Sequence, residues 1–485
     1  MASPTSQRVP KACDACNRRK VRCNGQHRCQ QCEHLDLLCT YTENHSARSR
    51  KHALRRGTVI SKYKSGTPKS TTRTPLLPLT TSRLPTSRLP TSYFSSLLPD
   101  YMTYVYPFSP IITDTEVRHS ISKMDTEREH AAFVYAFTAV TLDLTRASQS
   151  QSTLTPSTST STQITELLRQ SVETQQPLVI GFRPSILRAM TSIFIQMCAM
   201  SLGQYDLGFF YLREAISMIQ ILGVDKASTL SDLDITERAR RQRLYWQCFI
   251  HERFMSIVYF SPVTLPPHAQ FPEEDPLSVE LGLGSGIQQG WTQVIKTFCM
   301  LDASFISLWI GDRSRVTASW VEAKHRELDD ALWELEVSTL SELQQADLVV
   351  TRQWMRTLLW QMAMSNCLLS SHASCPSLEL EMPLQLSSQL RRFLTKISQN
   401  TIRVHGSSMI SKLLEIINTI ADVVIHVPQA TREETTCRID DIVFMQGVVL
   451  SFHNLQVMSK NILLDKFRVI RARFSHIEVA SQLAV

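Results

Sequence analysis

Cys13-Asp14-Ala15-Cys16-Asn17-Arg18-Arg19-Lys20-Val21-Arg22-Cys23 and Cys29-Gln30-Gln31-Cys32-Glu33-His34-Leu35-Asp36-Leu37-Leu38-Cys39 are two copies of one pattern, C-x2-C-x6-C, separated by a five-residue spacer. Thiolate is the metal-binding form of cysteine, and zinc takes four ligands in a tetrahedron. Two zinc ions therefore require eight sulfur positions. Six thiolates fill them only if two sulfurs bridge both metals. Cys13 and Cys29 each open a C-x2-C turn with the same downstream spacing, which makes them the expected bridges; Cys16, Cys23, Cys32 and Cys39 complete the set.

Other readings of the six cysteines compete with this one. A disulfide framework needs an oxidising compartment and usually a signal peptide, and residues 1–10 have no apolar core. A zinc module that contacts protein or RNA fits the metal spacing as well as one that contacts duplex DNA. Charge favours DNA. Six thiolates and two zinc ions carry a net charge of about −2, which alone would repel phosphate. Residues 1–56 hold 12 Lys and Arg against 4 Asp and Glu, while the rest of the chain is balanced at 39 against 40. The whole positive excess of +7 sits at the cysteine end, as an electrostatic footprint for a polyanion should.

This stretch resembles the DNA-binding domain of the fungal zinc binuclear cluster regulators, the family of the yeast galactose activator. The cysteine spacings fit, as does the basic run Asn17 to Arg22. The family usually has a proline before the fourth cysteine, where this loop reads Asn24-Gly25-Gln26-His27-Arg28; it often continues into a dimerising heptad coil, and none follows here. The resemblance implies two zinc ions as cofactor and a short C-x2-C helix whose basic end enters the major groove. It makes Lys20 the principal base-reading residue on a CGG-type triplet, with Arg19 beside it. Guanine offers two major-groove acceptors suited to Lys or Arg. Lys11, Arg18, Arg22 and Arg28 are then expected to neutralise phosphates.

Arg48, Arg50, Lys51, Arg55 and Arg56 form a basic patch suited to nuclear import or phosphate contact. Residues 57–92 are predicted to be a disordered linker: 15 of the 36 are Ser or Thr and 5 are Pro, with no acidic residue to add and little apolar surface to bury. From Tyr93 the composition becomes apolar with a helical period. The spacing predicts helices over about 184–202, 205–223 and 235–260, then over 291–310, 320–337, 342–370, 387–401, 411–427 and beyond 440. A Ser/Thr-rich stretch near 146–163 reads as a disordered insertion. The expected architecture is all-α: a zinc cluster domain (1–42), a flexible linker (43–92), a large helical regulatory domain (93–430) and a C-terminal helical extension (431–485). No apolar run reaches the ~20 residues that span a bilayer, so no membrane partner is expected.

The body in turn resembles the middle homology region of the same regulators. Tyr101 to Ile112 is similar to its entry segment, Tyr211-Leu212-Arg213-Glu214-Ala215 with Leu222-Gly223 to its central helix, and Glu237 to Arg253 with Pro262 to its basic-aromatic helix and turn. Asp347 to Arg356 is most similar to the subgroup that activates amylolytic and other pathway genes.

A catalytic constellation is missing from the sequence: it has no H-E-x-x-H, no P-loop and no nucleophile elbow. Gly282, Gly284 and Gly286 have the wrong spacing for a dinucleotide site and read as a loop. His251-Glu252-Arg253 reads as a buried ion-pair node. Cys198, Cys248, Cys299, Cys367, Cys375 and Cys437 read as small core residues, and the seven tryptophans as core anchors; the family resemblance implies room among them for a small-molecule effector pocket. Glu322, Glu327, Asp329, Asp330, Glu334 and Glu336 can serve as a coactivator surface or as a solvated helix face.

Together these point to a nuclear, sequence-specific DNA-binding transcription factor acting with RNA polymerase II. It is expected to activate a pathway or secondary-metabolite gene cluster, with carbohydrate utilisation as the alternative. A zinc-dependent interaction scaffold is the remoter reading. A saturated six-thiolate cluster leaves no open coordination position for enzyme chemistry.

Overall fold

The computed structural model describes residues 12–19, 23–34, 38–41, 89–149, 158–175, 181–268, 270–272, 285–311, 313–329, 333–373, 375–427, 431–452 and 455–484. The chain divides into two units, Met1–Thr81 and Ser82–Val485. Among the described residues every regular element is helical; the β-type pairing consists of an isolated bridge between Ser370 and Glu379.

In the first unit, α1 (Asp14–Arg19) and α2 (Gln30–His34) each begin directly after a cysteine. The interior they enclose is Cys13, Ala15, Cys16, Cys23, Cys29 and Cys32, with Ala12, Cys39 and Tyr41 against it. Units this small rarely stand on apolar burial alone and commonly need a metal.

The second unit opens with short helical turns over Thr91–Ser96 and Leu98–Asp100 and a π-turn over Tyr101–Val105. Tyr101 is fully buried, 5.1 Å from Phe137 and 6.3 Å from Phe194, and its hydroxyl donates to the Ile112 carbonyl at 2.8 Å. A capping box of Thr113 and Glu116 starts α3 (Asp114–Lys123). Next come α4 (Arg128–Gln149) and α5 (Thr158–Thr174), packed along each other. These two helices cover 146–149 and 158–163 of the stretch that the sequence marks as a disordered insertion; residues 150–157 lie outside the described residues. Ile164, Leu167 and Leu168 are buried, Arg146 donates to Ser161 at 2.8 Å, and Ser171 donates to the Ala132 carbonyl at 2.7 Å. Packing of this apolar face against α4 overrides the weak helix propensity of Ser and Thr.

Ser185 caps α6 (Ile186–Ser201), and Gly203, at φ +73°, turns the chain into α7 (Tyr205–Ile221). Asp234 caps α8 (Ile235–Tyr259). The apolar run 291–310 is two helices, α9 (Ser285–Cys299) and α10 (Ala303–Ile310). Asp302 breaks it, accepting from the Phe305 amide at 2.7 Å and from Lys324 at 2.8 Å. The 320–337 pattern likewise divides into α11 (Ala318–Leu328) and a turn at Trp333–Ser338. Then follow α12 (Glu342–Ser365), α13 (Met382–Leu394), a short Gln399–Arg403 turn, and α14 (Gly406–His426). Through Leu413, Ile417, Ala421 and Val424, α14 is the central core helix.

Residues 431–452 and 455–484, expected as a helical extension, pack on this body. α15 (Arg432–Leu450) and α16 (Val457–Arg473) both pack on α14, with Leu463, Phe467 and Ile470 fully buried. Cys198 and Cys248 are core residues as expected, whereas Cys367 and Cys437 are exposed and Cys299 and Cys375 half-exposed. Cys367 follows α12 at φ +55°, where the chain leaves the core. Among the described residues no single helix is long and apolar enough to cross a membrane.

Candidate metal centre

Cys13 and Cys29 are fully buried within the cysteine cluster. Their sulfurs lie 3.7 Å apart; Cys13 also contacts Cys32 at 3.6 Å, and Cys29 contacts Cys16 at 3.5 Å. All four sulfurs lie within 4.8 Å of one another and are buried. Cys39 accepts from the Cys29 amide at 3.2 Å, and Cys23 lies 3.7 Å from the Tyr41 hydroxyl. A disulfide would bring two sulfurs to about 2.05 Å. Tetrahedral zinc with bonds of about 2.3 Å separates its sulfurs by about 3.8 Å, so the donor set fits zinc. Without a metal, burial favours the thiol over the thiolate at three of these groups, whereas zinc requires the thiolate. Burial pushes Cys13 up to about 11, and burial with the neighbouring sulfurs pushes Cys16 and Cys32 far above the ordinary thiol range. For Cys23 burial is outweighed by hydrogen bonds from the Cys13 and Gly25 backbone and from Tyr41, which draw it down to about 6. Metal binding resolves the conflict by making every ligand a thiolate beside a dication.

The spacer that lacks the family's proline is held by other means. Gly25 and Arg28 adopt φ +74° and +61°, the Gln30 amide donates to Asn24 Oδ1 at 3.4 Å, and Tyr41 donates to the Gln26 carbonyl at 2.9 Å. Asp14 closes the unit by donating its amide to the Thr40 carbonyl at 2.8 Å and accepting from the Thr40 hydroxyl at 2.9 Å.

Arg18 and Arg19 form the last turn of α1, and Arg28 is exposed beside Cys29. The side chains of Arg18 and Arg19 lie outside the described residues. So do Lys11, Lys20, Arg22, Arg48, Arg50, Lys51, Arg55 and Arg56.

In the second unit, Glu252 and Arg253 form the ion-pair node expected of them, while their neighbour His251 faces elsewhere. Glu252 accepts from the Thr264 amide at 2.8 Å, the Leu265 amide at 2.9 Å and Arg253 at 3.1 Å. Arg253 donates to the Leu265 carbonyl at 2.6 Å and lies 4.2 Å over the Phe249 ring. Tyr245 and Trp246 donate to the carbonyls of Pro266 and Gln270. The proline-rich segment after α8 is thus strapped back along the helix it terminates.

His251 instead lines a cavity of about 130 Å³ walled by α4, α6, α8, α9, α12 and α14. Its Nδ1 donates to Gln196 Oε1 at 2.6 Å, and its Nε2 accepts from Gln247 Nε2 at 2.7 Å. Across the cavity Lys412 pairs with Asp347 at 3.0 Å, and Asp143 accepts from Ser201 at 2.8 Å. Sequence reading placed Asp347 in a family motif but did not assign it, Asp143 or Lys412 to a pocket. Each is a lone polar residue on an apolar face, and only the packing brings them together. Gly282 and Gly284 lie outside the described residues, and Gly286 is in the first turn of α9. The acidic positions around α11 are partly engaged: Glu327 pairs with Lys324, Asp329 with Arg356, and Glu336 accepts from Gln293.

The family model of the fungal Zn(2)-Cys(6) binuclear cluster domain matches residues 11–48, and that of the fungal specific transcription factor domain matches residues 92–277. A probable sucrose utilization protein of Candida albicans is 22% identical over 67% of this chain, which spans 63% of that protein's length. Two maltose fermentation regulatory proteins of Saccharomyces cerevisiae are 21% and 23% identical, over 85% and 86% of this chain and 84% and 85% of their own. The cluster domain binds two zinc ions through its six cysteines and binds DNA. The two matched segments are domains of the fungal Zn(2)-Cys(6) transcription factors, which are regulators and not enzymes.

Proposed function

We propose that this chain is a nuclear activator that reads CGG-type triplets in the promoters of a carbohydrate-utilisation pathway and responds to a small-molecule inducer. The observation that carries the reading is the position of the basic run: it continues from the last turn of α1, a helix anchored at its start by Cys13 and Cys16. In this reading Cys13, Cys16, Cys23, Cys29, Cys32 and Cys39 would hold two zinc ions, with Cys13 and Cys29 as the shared ligands, and the metal would supply folding stability to the module. Lys20 reads guanine, with Arg19 beside it. Lys11, Arg18, Arg22 and Arg28 contact phosphates, and Arg48, Arg50, Lys51, Arg55 and Arg56 serve import and backbone contact.

The helical body gates recruitment of coactivators. The relatives named for sucrose utilization and maltose fermentation favour the carbohydrate alternative over a secondary-metabolite cluster. Mapping of bound promoters in the native cell, with expression measured after deletion of the gene, tests the whole reading. Bound CGG-type sites upstream of sugar-transport and glycosidase genes that lose expression are the expected result. Sites clustered at a biosynthetic locus would move the pathway to the other reading, and absence of duplex DNA binding would leave only the scaffold.

A further inference from the structure

The cavity of the helical body contains unmatched polar atoms of both kinds. Trp291 Nε1, a donor, and Gln247 Oε1, an acceptor, have no partner, and neither does His405 Nε2. The three residues line the same cavity and are at most 9% exposed. Buried polar groups are almost always satisfied, so three orphans around one space mark a place built for a ligand that donates and accepts.

Among the described lining residues Lys412 is already paired with Asp347, and Asp143 accepts from the Ser201 hydroxyl. Burial keeps His251 and His405 neutral, drawing both down to about 4, and raises Asp143 to about 6. Among the described lining residues no cation is left to meet an anion, and Asp143 would oppose one. Trp291, Phe254 and Phe298 supply apolar faces. At about 130 Å³ the space is smaller than the ~300–1,000 Å³ of drug-sized sites.

We propose that this cavity is the effector site, and that it takes a small uncharged polyhydroxylated molecule of monosaccharide size, with Trp291 donating to one ligand oxygen and Gln247 accepting from a ligand hydroxyl. This rests on the reading of the body as an inducer-responsive regulator and adds the site and the ligand class. A hydroxyl donates and accepts at once, which suits a mixed set of orphans better than a carboxylate or an amine does.

The test uses the full-length, zinc-loaded chain, titrated by calorimetry and thermal unfolding with glucose, xylose and myo-inositol, and with glucose 6-phosphate and gluconate as anionic counterparts. Saturable binding of at least one neutral probe, without binding of the anions, is the expected result. Trp291→Phe keeps an aromatic six-membered ring and removes the orphan N–H; it should weaken that binding by about tenfold while duplex binding is unchanged. The smaller buried side chain lowers the melting temperature of the unliganded protein in any case, so affinity and not stability is the readout. Gln247→Leu gives the same test on the acceptor side and stands in if the first variant misfolds. Absence of saturable binding by every neutral probe, tighter binding of an anion, or unaltered affinity in both variants overturns the proposal. Retardation of a CGG-containing duplex by the same preparations is scored in parallel. If duplex binding survives while probe binding fails, the effector site is refuted and the transcription-factor reading stands.

Discussion

Arg213 on α7 and Glu252 on α8 meet at 2.7 Å, and the same Glu252 oxygen also holds the Thr264 amide and hydroxyl. Glu252 is 1% exposed and is the common partner of two arginines and the strap after α8. Removing the charge from one member of a buried, hydrogen-bonded set leaves the others uncompensated. Glu252→Gln should therefore destabilise the body by about 3–5 kcal/mol in urea unfolding followed by tryptophan fluorescence. A change below about 1 kcal/mol would show that the arginines find other partners.

The sulfur geometry predicts metal content. Residues 1–81 should carry two zinc ions by native mass spectrometry, and chelation should unfold them while the body's tryptophans are unaffected. Structural zinc commonly contributes on the order of 10 kcal/mol to folding. One zinc ion, or three disulfides, would refute the bridged cluster.

Base reading and phosphate holding separate by mutation. Lys20→Ala should cost about 1–3 kcal/mol on a cognate triplet and flatten the preference among sequences. Arg50→Ala should weaken binding to all sequences alike and lower the salt slope by about one unit. Equal, sequence-blind losses would show that Lys20 does not read a base.

Burial holds His325 and His405 at about 4, against about 6.5 in an unfolded chain. Between those values the unfolded state binds protons that the native state refuses, so stability is complete above about pH 6.5 and falls as the pH drops toward 4. Asp143, raised to about 6, acts oppositely, since its native carboxyl takes up a proton first as the pH falls. With His251 also held at about 4, the imidazoles outweigh it. Urea midpoints should be lower at pH 5 than at pH 7, and His325→Gln should remove part of that slope. A flat or inverted profile would mean that these rings are protonated in the native state.

No heptad seam follows Cys39, and Pro68, Pro75, Pro78, Pro85 and Pro90 interrupt any helix there. Residues 1–92 are expected to sediment as a monomer, free and on DNA with a single triplet. A stable free dimer, or a sharp optimum in the spacing of two triplets, would reveal a dimerisation element within that fragment.

The helices with a polar cap and a sustained period were readable from sequence: Ser185, Asp234 and Ser341 each sit at the N-cap of a helix the spacing predicts. The errors arose where an apolar period runs through a break, as at Asp302, or where packing rescues a poor helix former, as in α5. The cysteine cluster was legible because its ligands are near in sequence and spaced by coordination geometry. The cavity was not legible: Lys412 and Asp347 are 65 residues apart, and neither residue type at its position announces the other.

The segment after α16 is built into the interior. Ala480 and Leu483 are buried, and the Ala484 amide donates to Gln446 Oε1 at 2.8 Å. A stop codon a few dozen residues early would delete α16 and uncover the face of α14 it protects, so late truncation alleles should behave as nulls through loss of protein. Constitutive alleles are then to be sought among single substitutions in the body.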